Sequence, residues 1–527
     1  MSENSRIDAA RQYHSGTKHS YLSLRTQPHF LDWENKPLLF KIYPTLEVTR
    51  LPRDFQDTGR SALSMIAADS VPSKGEAVPD LETLAQVLFF SAGVTKSRKH
   101  PEGETFFRAA ACTGALYEIE LYVICTDIRS KIQLKDSAPV LPAGVYHFGA
   151  AEFGLRQLRA ADFRQAVVAA TGDDPSVAHA PVIIVCTGVY WRNAWKYRSR
   201  TYRHFGWDNG TILANLLAIS SALNLPARVF GGFVDSEVNA LLDIETNREV
   251  AFSLVTLGHT ESSASNAPAL PRLALPTVPY SAKEVDYASM RKMHEASSLD
   301  SVTELKDWRG TAPHGQMPPA KDTTSALLPP SDSRIVPDTI EQVIARRGST
   351  RQFSRDPITL AQLSTMLDRA TRGIPADFLE PFGSHLNDLY LVVNNVVGLT
   401  PGAYVYHWEE KLLELLKRGE FREKAGYLGL EQQIPADAAV DVFFLADLKK
   451  ILERYGNRGY RAVQLEAGIL GGKLYLAAYA QKLGCSGLTF YDDDVISFFS
   501  PHARGKSAIF LIALGRSAMR KPDPSRS

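Results

Sequence analysis

One pattern occurs twice in the chain, first as Lys196-Tyr197-Arg198-Ser199-Arg200-Thr201-Tyr202-Arg203 and again as Arg454-Tyr455-Gly456-Asn457-Arg458-Gly459-Tyr460-Arg461. Two tyrosine and two arginine positions coincide at one offset of 258 residues. The same offset carries the upstream segment Gly144-Val145-Tyr146 onto Gly402-Ala403-Tyr404. A constant offset over this distance indicates one structural unit that is written twice.

The length of 527 residues suits two domains with connections. Each copy of the pattern precedes a stretch with helical apolar spacing and ends in an apolar β-type run, as in residues 250–258 and 507–515. The intervening sequence is rich in Ser, Pro and Ala, with one helix predicted around Lys283–His294. We therefore predict an N-terminal domain with an extended arm over residues 1–262, a linker over 263–335 and a C-terminal domain over 336–527.

Mixed helices and strands indicate an α+β fold, and the duplication predicts that the two halves pair as a pseudo-two-fold dimer within one chain. Whether whole chains associate further is left open by the sequence.

Bulk properties exclude several function classes. A net charge of +1 argues against nucleic-acid and anionic-membrane binding. No apolar run reaches the length of about 18 residues that a membrane span needs, and no secretory signal is visible, so we expect a cytoplasmic protein. Four widely spaced cysteines and histidines without ligand spacing predict no metal site.

A dense cluster of phosphate-binding side chains occurs at Arg346-Arg347-Gly348-Ser349-Thr350-Arg351-Gln352-Phe353. Guanidinium forks match phosphate oxygens, and the two hydroxyls add short hydrogen bonds. A solvated basic helix end, stabilised by the helix dipole, explains the same residues. Composition alone favours that second interpretation.

The motif Arg-x-Ser-x-Arg-x-Phe at residues 347–353 resembles the opening of the nitroreductase superfamily, whose members bind FMN at a dimer interface. The repeated Tyr/Arg pattern, the Gly-x-Tyr strand and residues 108–117, Arg-Ala-Ala-Ala-Cys-Thr-Gly-Ala-Leu-Tyr, are similar to the SagB/ThcOx-type dehydrogenases. Those flavin enzymes oxidise thiazolines and oxazolines in modified peptides. The resemblance covers nearly all of the chain apart from the linker and implies two fused nitroreductase-like domains.

The resemblance assigns FMN contacts to both halves. The phosphate falls to Arg347, Ser349 and Arg351, and the turn after the long helix of the second half contributes Ser486 and Gly487. In the first half, the segment of residues 108–117 stands where the family has Pro-Ser-x-Gly across the dimer, and the flavin contacts implied there are Arg108, Cys112, Thr113 and Gly114.

A reciprocal FMN site would need Thr17-Lys18 in place of the Arg-Ser-Arg motif, so the sequence predicts that this site is degenerate. We expect one FMN per chain, at the interface between the halves.

The resemblance also implies that Lys196 and Tyr197 are catalytic, because a Lys-Tyr pair at this position handles protons in the thiazoline oxidases. The second copy has Arg454, which stays protonated and cannot act as a base. Without the resemblance, Tyr197 and Tyr202 would be interpreted as core aromatics and the neighbouring arginines as surface charges.

The expected function is that of an FMN-dependent oxidoreductase that dehydrogenates an azoline-like C–N bond in a peptide or small molecule, with O₂ reoxidising the flavin. One alternative is an NAD(P)H-dependent nitro or quinone reductase, since family members can bind the nicotinamide transiently over the flavin. Another is a catalytically degenerate scaffold subunit of a peptide-modifying complex.

Overall fold

The computed structural model describes residues 2–26, 28–68, 75–100, 103–131, 140–264, 266–313, 317–320, 323–328 and 338–518. Within them the chain forms eighteen α-helices and eighteen β-strands. The helices are α1 (Asp8–Gly16), α2 (Tyr21–Thr26), α3 (Ala62–Ile66), α4 (Leu81–Ala92), α5 (Arg164–Ala170), α6 (Pro175–Ala178), α7 (Tyr190–Tyr197), α8 (Thr201–Ala222), α9 (Asp235–Leu242), α10 (Ala288–Ala296), α11 (Val302–Trp308), α12 (Ile340–Arg346), α13 (Leu360–Ala370), α14 (Arg422–Leu428), α15 (Gln433–Asp437), α16 (Leu448–Tyr455), α17 (Arg458–Ala480) and α18 (Asp492–Phe499).

Most strands belong to two large sheets. The strands are β1 (Thr49–Arg50), β2 (Val94–His100), β3 (Gly103–Arg108), β4 (Ile119–Cys125), β5 (Gly144–Gly149), β6 (Gly154–Ala160), β7 (Val182–Val189), β8 (Ala227–Phe230), β9 (Glu249–Leu257), β10 (Thr324–Ala326), β11 (Ile358–Thr359), β12 (Asp388–Val393), β13 (Val396–Val397), β14 (Gly402–His407), β15 (Leu412–Arg418), β16 (Val440–Ala446), β17 (Gly484–Leu488) and β18 (Ser507–Gly515). Short 3₁₀ helices lie at Thr113–Ala115 and Arg198–Arg200.

The two seven-stranded sheets have the same strand order. The first runs β1-β6-β5-β4-β7-β9-β8 and the second β10-β15-β14-β12-β16-β18-β17. Neighbouring strands are antiparallel throughout both sheets, and the central strands β7 and β16 are buried along their whole length. The predicted α+β class with two fused domains is therefore confirmed.

The two halves meet along the long helices α8 and α17, which follow the two copies of the repeated pattern. Nearly every residue of both helices is buried, so neither helix has a solvent-facing side. Glycines allow the backbones to approach: a Cβ at Gly210 would lie 2.4 Å from the backbone of Gly468. Larger residues at these positions would force the halves apart.

The arginines of the repeated pattern bind the opposite half. Arg200 and Arg203 contact the Asp492 carboxylate of α18 at 3.0 and 2.7 Å. In the same way, Arg458 and Arg461 contact the Asp235 carboxylate of α9 at 2.5 and 2.7 Å. All six side chains are buried. The two aspartates are thus the centres of two reciprocal ion clusters between the halves.

Helices α1 and α10 complete these clusters in matching ways. The Thr17 hydroxyl accepts a hydrogen bond from Arg203, as the Ser297 hydroxyl does from Arg461. Thr17 therefore belongs to an arginine cluster and corresponds to Ser297, so its predicted alignment with the Arg-Ser-Arg motif is wrong. The predicted linker contains α10, close to the helix expected there, and also α11, which the sequence pattern did not indicate.

In the cluster of Asp492, Arg200 and Arg203, burial shifts the pKa of the acid and of the bases in opposite directions. Burial alone would raise the pKa of Asp492, but Arg200 and Arg203 hold it well below its usual range. Burial lowers the pKa of Arg200 to about 10, whereas the attraction of Asp492 opposes that shift. The cluster is thus an ionised group whose members depend on one another.

No helix among the described residues is both long and apolar enough to cross a lipid bilayer.

We predict that Asp492→Asn lowers the free energy of unfolding by about 3–5 kcal/mol, because two buried guanidinium groups lose their counter-charge. Urea unfolding at neutral pH measures this loss. Since the pKa of Asp492 is lower in the folded state, its contribution is present above pH about 4 and is lost as the pH falls through the folded value.

The matched control is Glu453→Gln, which removes the exposed pair of Glu453 with Lys449 at 3.8 Å. It should change the unfolding free energy by no more than about 1 kcal/mol. Equal small effects of both substitutions would contradict the structural role of the cluster.

Candidate active site

A cavity of about 460 Å³ lies between the two halves and is open to solvent. Its volume falls within the range of about 300–1,000 Å³ that small-molecule and cofactor sites occupy. Both halves contribute to its wall, namely Ala111, Cys112, Thr113, Gly114, Lys196, Tyr197, His204, Trp207, Asp208 and Thr211 from the first, and Ser349, Arg351, Gln432, Tyr475, Gly487, Leu488, Thr489 and Phe510 from the second.

Eight of the residues predicted from the sequence line this cavity. They come from four separate segments: the turn after β3, the end of α7, the loop after α12 and the end of β17. They are Cys112, Thr113, Gly114, Lys196, Tyr197, Ser349, Arg351 and Gly487. The fold thus brings the predicted catalytic pair and the predicted phosphate-binding residues to one cavity.

Tyr475 of α17 holds the second-half wall of the cavity in place. Its hydroxyl lies 3.1 Å from the Ser349 hydroxyl and accepts a hydrogen bond of 2.6 Å from the backbone N–H of Gly487. The loop after α12 and the end of β17 are therefore fixed to the interface helix.

Two cations at the cavity have no carboxylate partner among the described residues. Arg351 and Lys196 make no ion pair with any of them, in contrast to the arginines of the interface clusters. Although Lys196 is exposed, partial desolvation of its ammonium group lowers its pKa, and the nearby charge of Arg351 lowers it further. An anion that entered the cavity would relieve this repulsion.

The pKa of Tyr197 is shifted in the opposite direction from the pKa of Lys196. Burial raises the pKa of Tyr197 well above its usual value, and the charge of Asp208 adds to the shift. Its ring packs over Gly114, whose φ of +66° no ordinary side chain favours, and a Cβ there would lie 2.8 Å from the tyrosine hydroxyl. Gly114 is therefore required both for the turn and for the place of Tyr197.

Several side chains of the cavity wall were missed by the sequence analysis. Burial lowers the pKa of His204 well below its usual range, so the ring is neutral, with Nδ1 placed 2.8 Å from the Asn193 side-chain oxygen. Trp207 stacks on Phe510 of the other half at 4.8 Å. Asp208 accepts hydrogen bonds from the N–H and the hydroxyl of Thr113. All three precede the apolar part of α8 in the sequence, and only the fold shows that they face a cavity.

Three predicted site residues lie outside the cavity wall. The Arg347 guanidinium donates to the backbone carbonyls of Ala109 and Arg108, both at 2.8 Å, and so joins the halves. Arg108 is buried against the rings of Phe40 and Tyr117. The Ser486 hydroxyl is buried and has no hydrogen-bond partner among the described residues.

Comparisons with known proteins agree with this architecture. The model of the nitroreductase family matches residues 344–515. A protein of Methanocaldococcus jannaschii that is assigned as a nitroreductase is 27% identical over 165 residues, which cover 30% of this chain and 81% of that protein. A crystal structure of a protein assigned as a nitroreductase from Anabaena variabilis has a TM-score of 0.76 at 24% identity, and the match covers 97% of this chain and 99% of that one.

Residues 344–515 form a nitroreductase-family domain. The structural match extends the nitroreductase-like fold to the whole chain, because it includes both halves. The match of residues 344–515 to this family supports an oxidoreductase activity.

The pseudo-two-fold axis relates the cavity to a second position between the halves, here called the reciprocal position. The two positions are lined differently. Tyr455 ends α16 as Tyr197 ends α7, but the Trp308 ring of α11 packs on it at 5.2 Å. Strand pairing aligns Phe230 with Leu488 of the cavity wall, so Gly231 follows at the position of Thr489.

Gly231 and the following Gly232 leave room for the ring that fills this reciprocal position. A Cβ at Gly232 would lie 2.6 Å from Trp308. Arg454, the counterpart of Lys196, donates to the carbonyls of Arg309 and Thr311. The segment that would follow α3 there, residues 69–74, lies outside the described residues.

We predict that Arg351→Gln raises the pKa of Lys196, because it removes the like charge that destabilises the ammonium form. Titration of the lysine Cε–H signals by NMR measures this pKa in the purified chain. Arg346→Gln is the matched control, since Arg346 is paired with Asp338 and does not line the cavity. A pKa of Lys196 that is equal in both variants and in the wild type would contradict the described arrangement.

Proposed function

We propose that the chain is an FMN-dependent oxidoreductase that binds one FMN in the cavity between its halves. The single observation that carries the proposal is the unneutralised pair of cations at the wall of a cavity within a nitroreductase-like fold. A phosphate is the anion that suits an arginine fork with an adjacent hydroxyl, and Arg351 and Ser349 supply this donor set.

The chemistry of the remaining wall suits a flat aromatic ring. Trp207 and Phe510 form an apolar surface, and Gly114 and Gly487 allow backbone to approach a bound group closely. Bound FMN would supply a two-electron acceptor for a hydride. The protein's part would be to hold the cofactor, orient the substrate and move protons.

For the reaction itself, we propose dehydrogenation of an azoline-like C–N bond, as in the SagB/ThcOx-type enzymes, with O₂ as the final electron acceptor. Lys196 would take the proton from the substrate carbon, because its lowered pKa gives it more neutral amine near neutral pH than an ordinary lysine has. Tyr197 would remain protonated and act as a hydrogen-bond donor, since its pKa is raised. The two residues of the predicted pair would thus have different roles.

The expected cofactor content is one FMN per chain. Absorbance of the purified protein near the flavin bands, compared with protein concentration, measures it after release of the cofactor. Trp308 at the reciprocal position supports this stoichiometry, because the indole occupies space that a second flavin ring would need. Two flavins per chain would contradict the proposal, and a colourless protein would favour the scaffold alternative.

We predict that Lys196→Met lowers the rate of azoline oxidation by about 10²–10⁴-fold, the usual contribution of a general base. The assay follows the loss of two hydrogen atoms from thiazoline- and oxazoline-containing peptides by mass spectrometry. In the wild type the rate should rise with pH and level off above the lowered pKa of Lys196, because only the neutral amine accepts a proton.

Two comparisons make this test specific. Lys36→Met removes a lysine that lowers the pKa of Lys196 but does not line the cavity, so it should retain the maximal rate and move only the pH profile, to higher pH. Arg351→Gln should move the pH profile to higher pH, even if it also weakens cofactor binding. Activity with NADPH and a nitro compound that survives Lys196→Met, without any azoline oxidation in the wild type, would favour the reductase alternative.

A further inference from the structure

A second group of acid side chains lies at the wall of the same cavity. Asp208 of α8 lines the cavity, and Glu118, which precedes β4, is buried behind it. The Cys112 thiol lies 3.4 Å from Glu118 Oε2 and 3.3 Å from Asp208 Oδ2. The sulfur and one oxygen of each carboxyl all lie within 4.8 Å of one another.

These two carboxyls have no cationic partner among the described residues, unlike Asp235 and Asp492 at the interface clusters. Two ionised carboxylates at such a distance in a buried site repel each other strongly, so one of them keeps a proton near neutral pH. Burial and the neighbouring Asp208 raise the pKa of Glu118 well above its usual value. Burial also raises the pKa of Asp208, although the hydrogen bonds from Thr113 oppose this.

Hydrogen bonding indicates which carboxyl holds the proton. Asp208 accepts from the Thr113 N–H at 2.8 Å and from the Thr113 hydroxyl at 2.9 Å, which favours its ionised form. Glu118 has one oxygen, Oε1, that is buried without a partner among the described residues. An ionised Glu118 would leave a charged oxygen unsolvated, so Glu118 is the protonated member.

Among the described residues, the other half of the chain has a counterpart of Asp208 but no matching group of a thiol and two carboxyls. At the same offset of 258 residues, Glu466 of α17 accepts hydrogen bonds from the Leu386 N–H and from the Asn387 amide. Glu466 therefore fixes its neighbouring segment as Asp208 fixes Thr113. Holding the segment requires one carboxylate, and the thiol and second carboxyl occur on the side of the cavity.

We propose that Glu118 and Asp208 share one transferable proton and form a second proton-transfer group at the cavity, separate from Lys196. This inference rests on the proposed function. In that reaction the substrate gives up a hydride and a proton, and O₂ takes up two electrons and two hydrogens to become H₂O₂. One hydrogen comes from the hydride and the other must arrive as a proton, which Glu118 supplies through Asp208 and later regains from solvent.

The surroundings of the pair are consistent with transfer toward the cavity. The titratable side chains around it are Cys112, Tyr117, Tyr197 and His204, and the nearest cations are Arg108, Lys196 and Arg351. Burial raises the pKa of Cys112, Tyr117 and Tyr197, so none of them is ionised near neutral pH. His204 is neutral because burial lowers its pKa.

The test compares Glu118→Gln with the wild type in the FMN-loaded chain. Glutamine keeps an N–H donor toward Asp208 but has no proton to transfer. The protein is reduced with dithionite and mixed with air-saturated buffer, and the return of flavin absorbance gives the reoxidation rate, so no substrate is needed. We expect unchanged FMN content and a rate lowered by about tenfold or more.

The pH dependence has a defined sign. The wild-type rate should fall at alkaline pH, where the pair loses its proton, and the rate of Glu118→Gln should be independent of this ionisation. Glu466→Gln is the matched control, because it alters the corresponding carboxyl away from the cavity and should reoxidise at the wild-type rate.

Infrared spectroscopy gives a readout that does not depend on flavin. The wild type at neutral pH should show a protonated-carboxyl band of Glu118, identified as the intensity that is lost in Glu118→Gln, because Asp441, whose pKa burial also raises, contributes to both spectra. Its absence from the wild type, a flat wild-type pH profile, an unchanged rate in Glu118→Gln or a stoichiometric divalent metal ion at the cluster would each overturn the inference. A chain without flavin that still shows this band would refute the proposed function and leave the shared proton in place.

Discussion

Two buried ion clusters between the halves are the constraint on which the rest of the structure depends. Each consists of two arginines from one half and one aspartate from the other, and the two clusters are reciprocal. A buried guanidinium without its carboxylate is strongly unfavourable, so neither half can keep its own arginines satisfied alone. The halves are therefore obligate partners, and the close approach of α8 and α17 follows from that pairing.

The cavity is a consequence of this interface. Its wall needs the end of α7 and the Thr113 turn from one half, and the loop after α12 and the end of β17 from the other. Pseudo-two-fold symmetry alone would create two such cavities. Among the described residues one of these places is a cavity; at the other, Trp308 packs on Tyr455 and Arg454 donates to backbone carbonyls. A symmetric scaffold thus carries a single candidate site.

The sequence predicted the fold class well because the repeated pattern can be read at a fixed offset along the chain. It also predicted eight residues of the cavity wall, mostly through the family resemblance. Long-range partners were not predictable: Arg200 and Arg203 could be interpreted as surface charges because Asp492 is almost 300 residues away. The sequence predicted Arg347 as a phosphate ligand. In the structure its guanidinium N–H groups donate to backbone carbonyls of the opposite half.

The residues missed by the sequence analysis share one property. His204, Trp207 and Asp208 lie on α8, which the sequence describes only as an apolar helix, and their side chains face the cavity through the geometry of the interface. The periodicity of apolar residues assigns a residue to one face of a helix. It does not show that the other half of the chain leaves part of that face uncovered, where it lines a cavity. The carboxyl pair of Asp208 and Glu118 was hidden for the same reason.

A crystal structure of the full chain grown with FMN tests the central claim most directly. The account predicts one flavin per chain, with its phosphate against Arg351 and Ser349 and its ring between the two halves beside Trp207, while Trp308 remains in the reciprocal position. A flavin bound elsewhere, or two flavins related by the pseudo-two-fold axis, would contradict it.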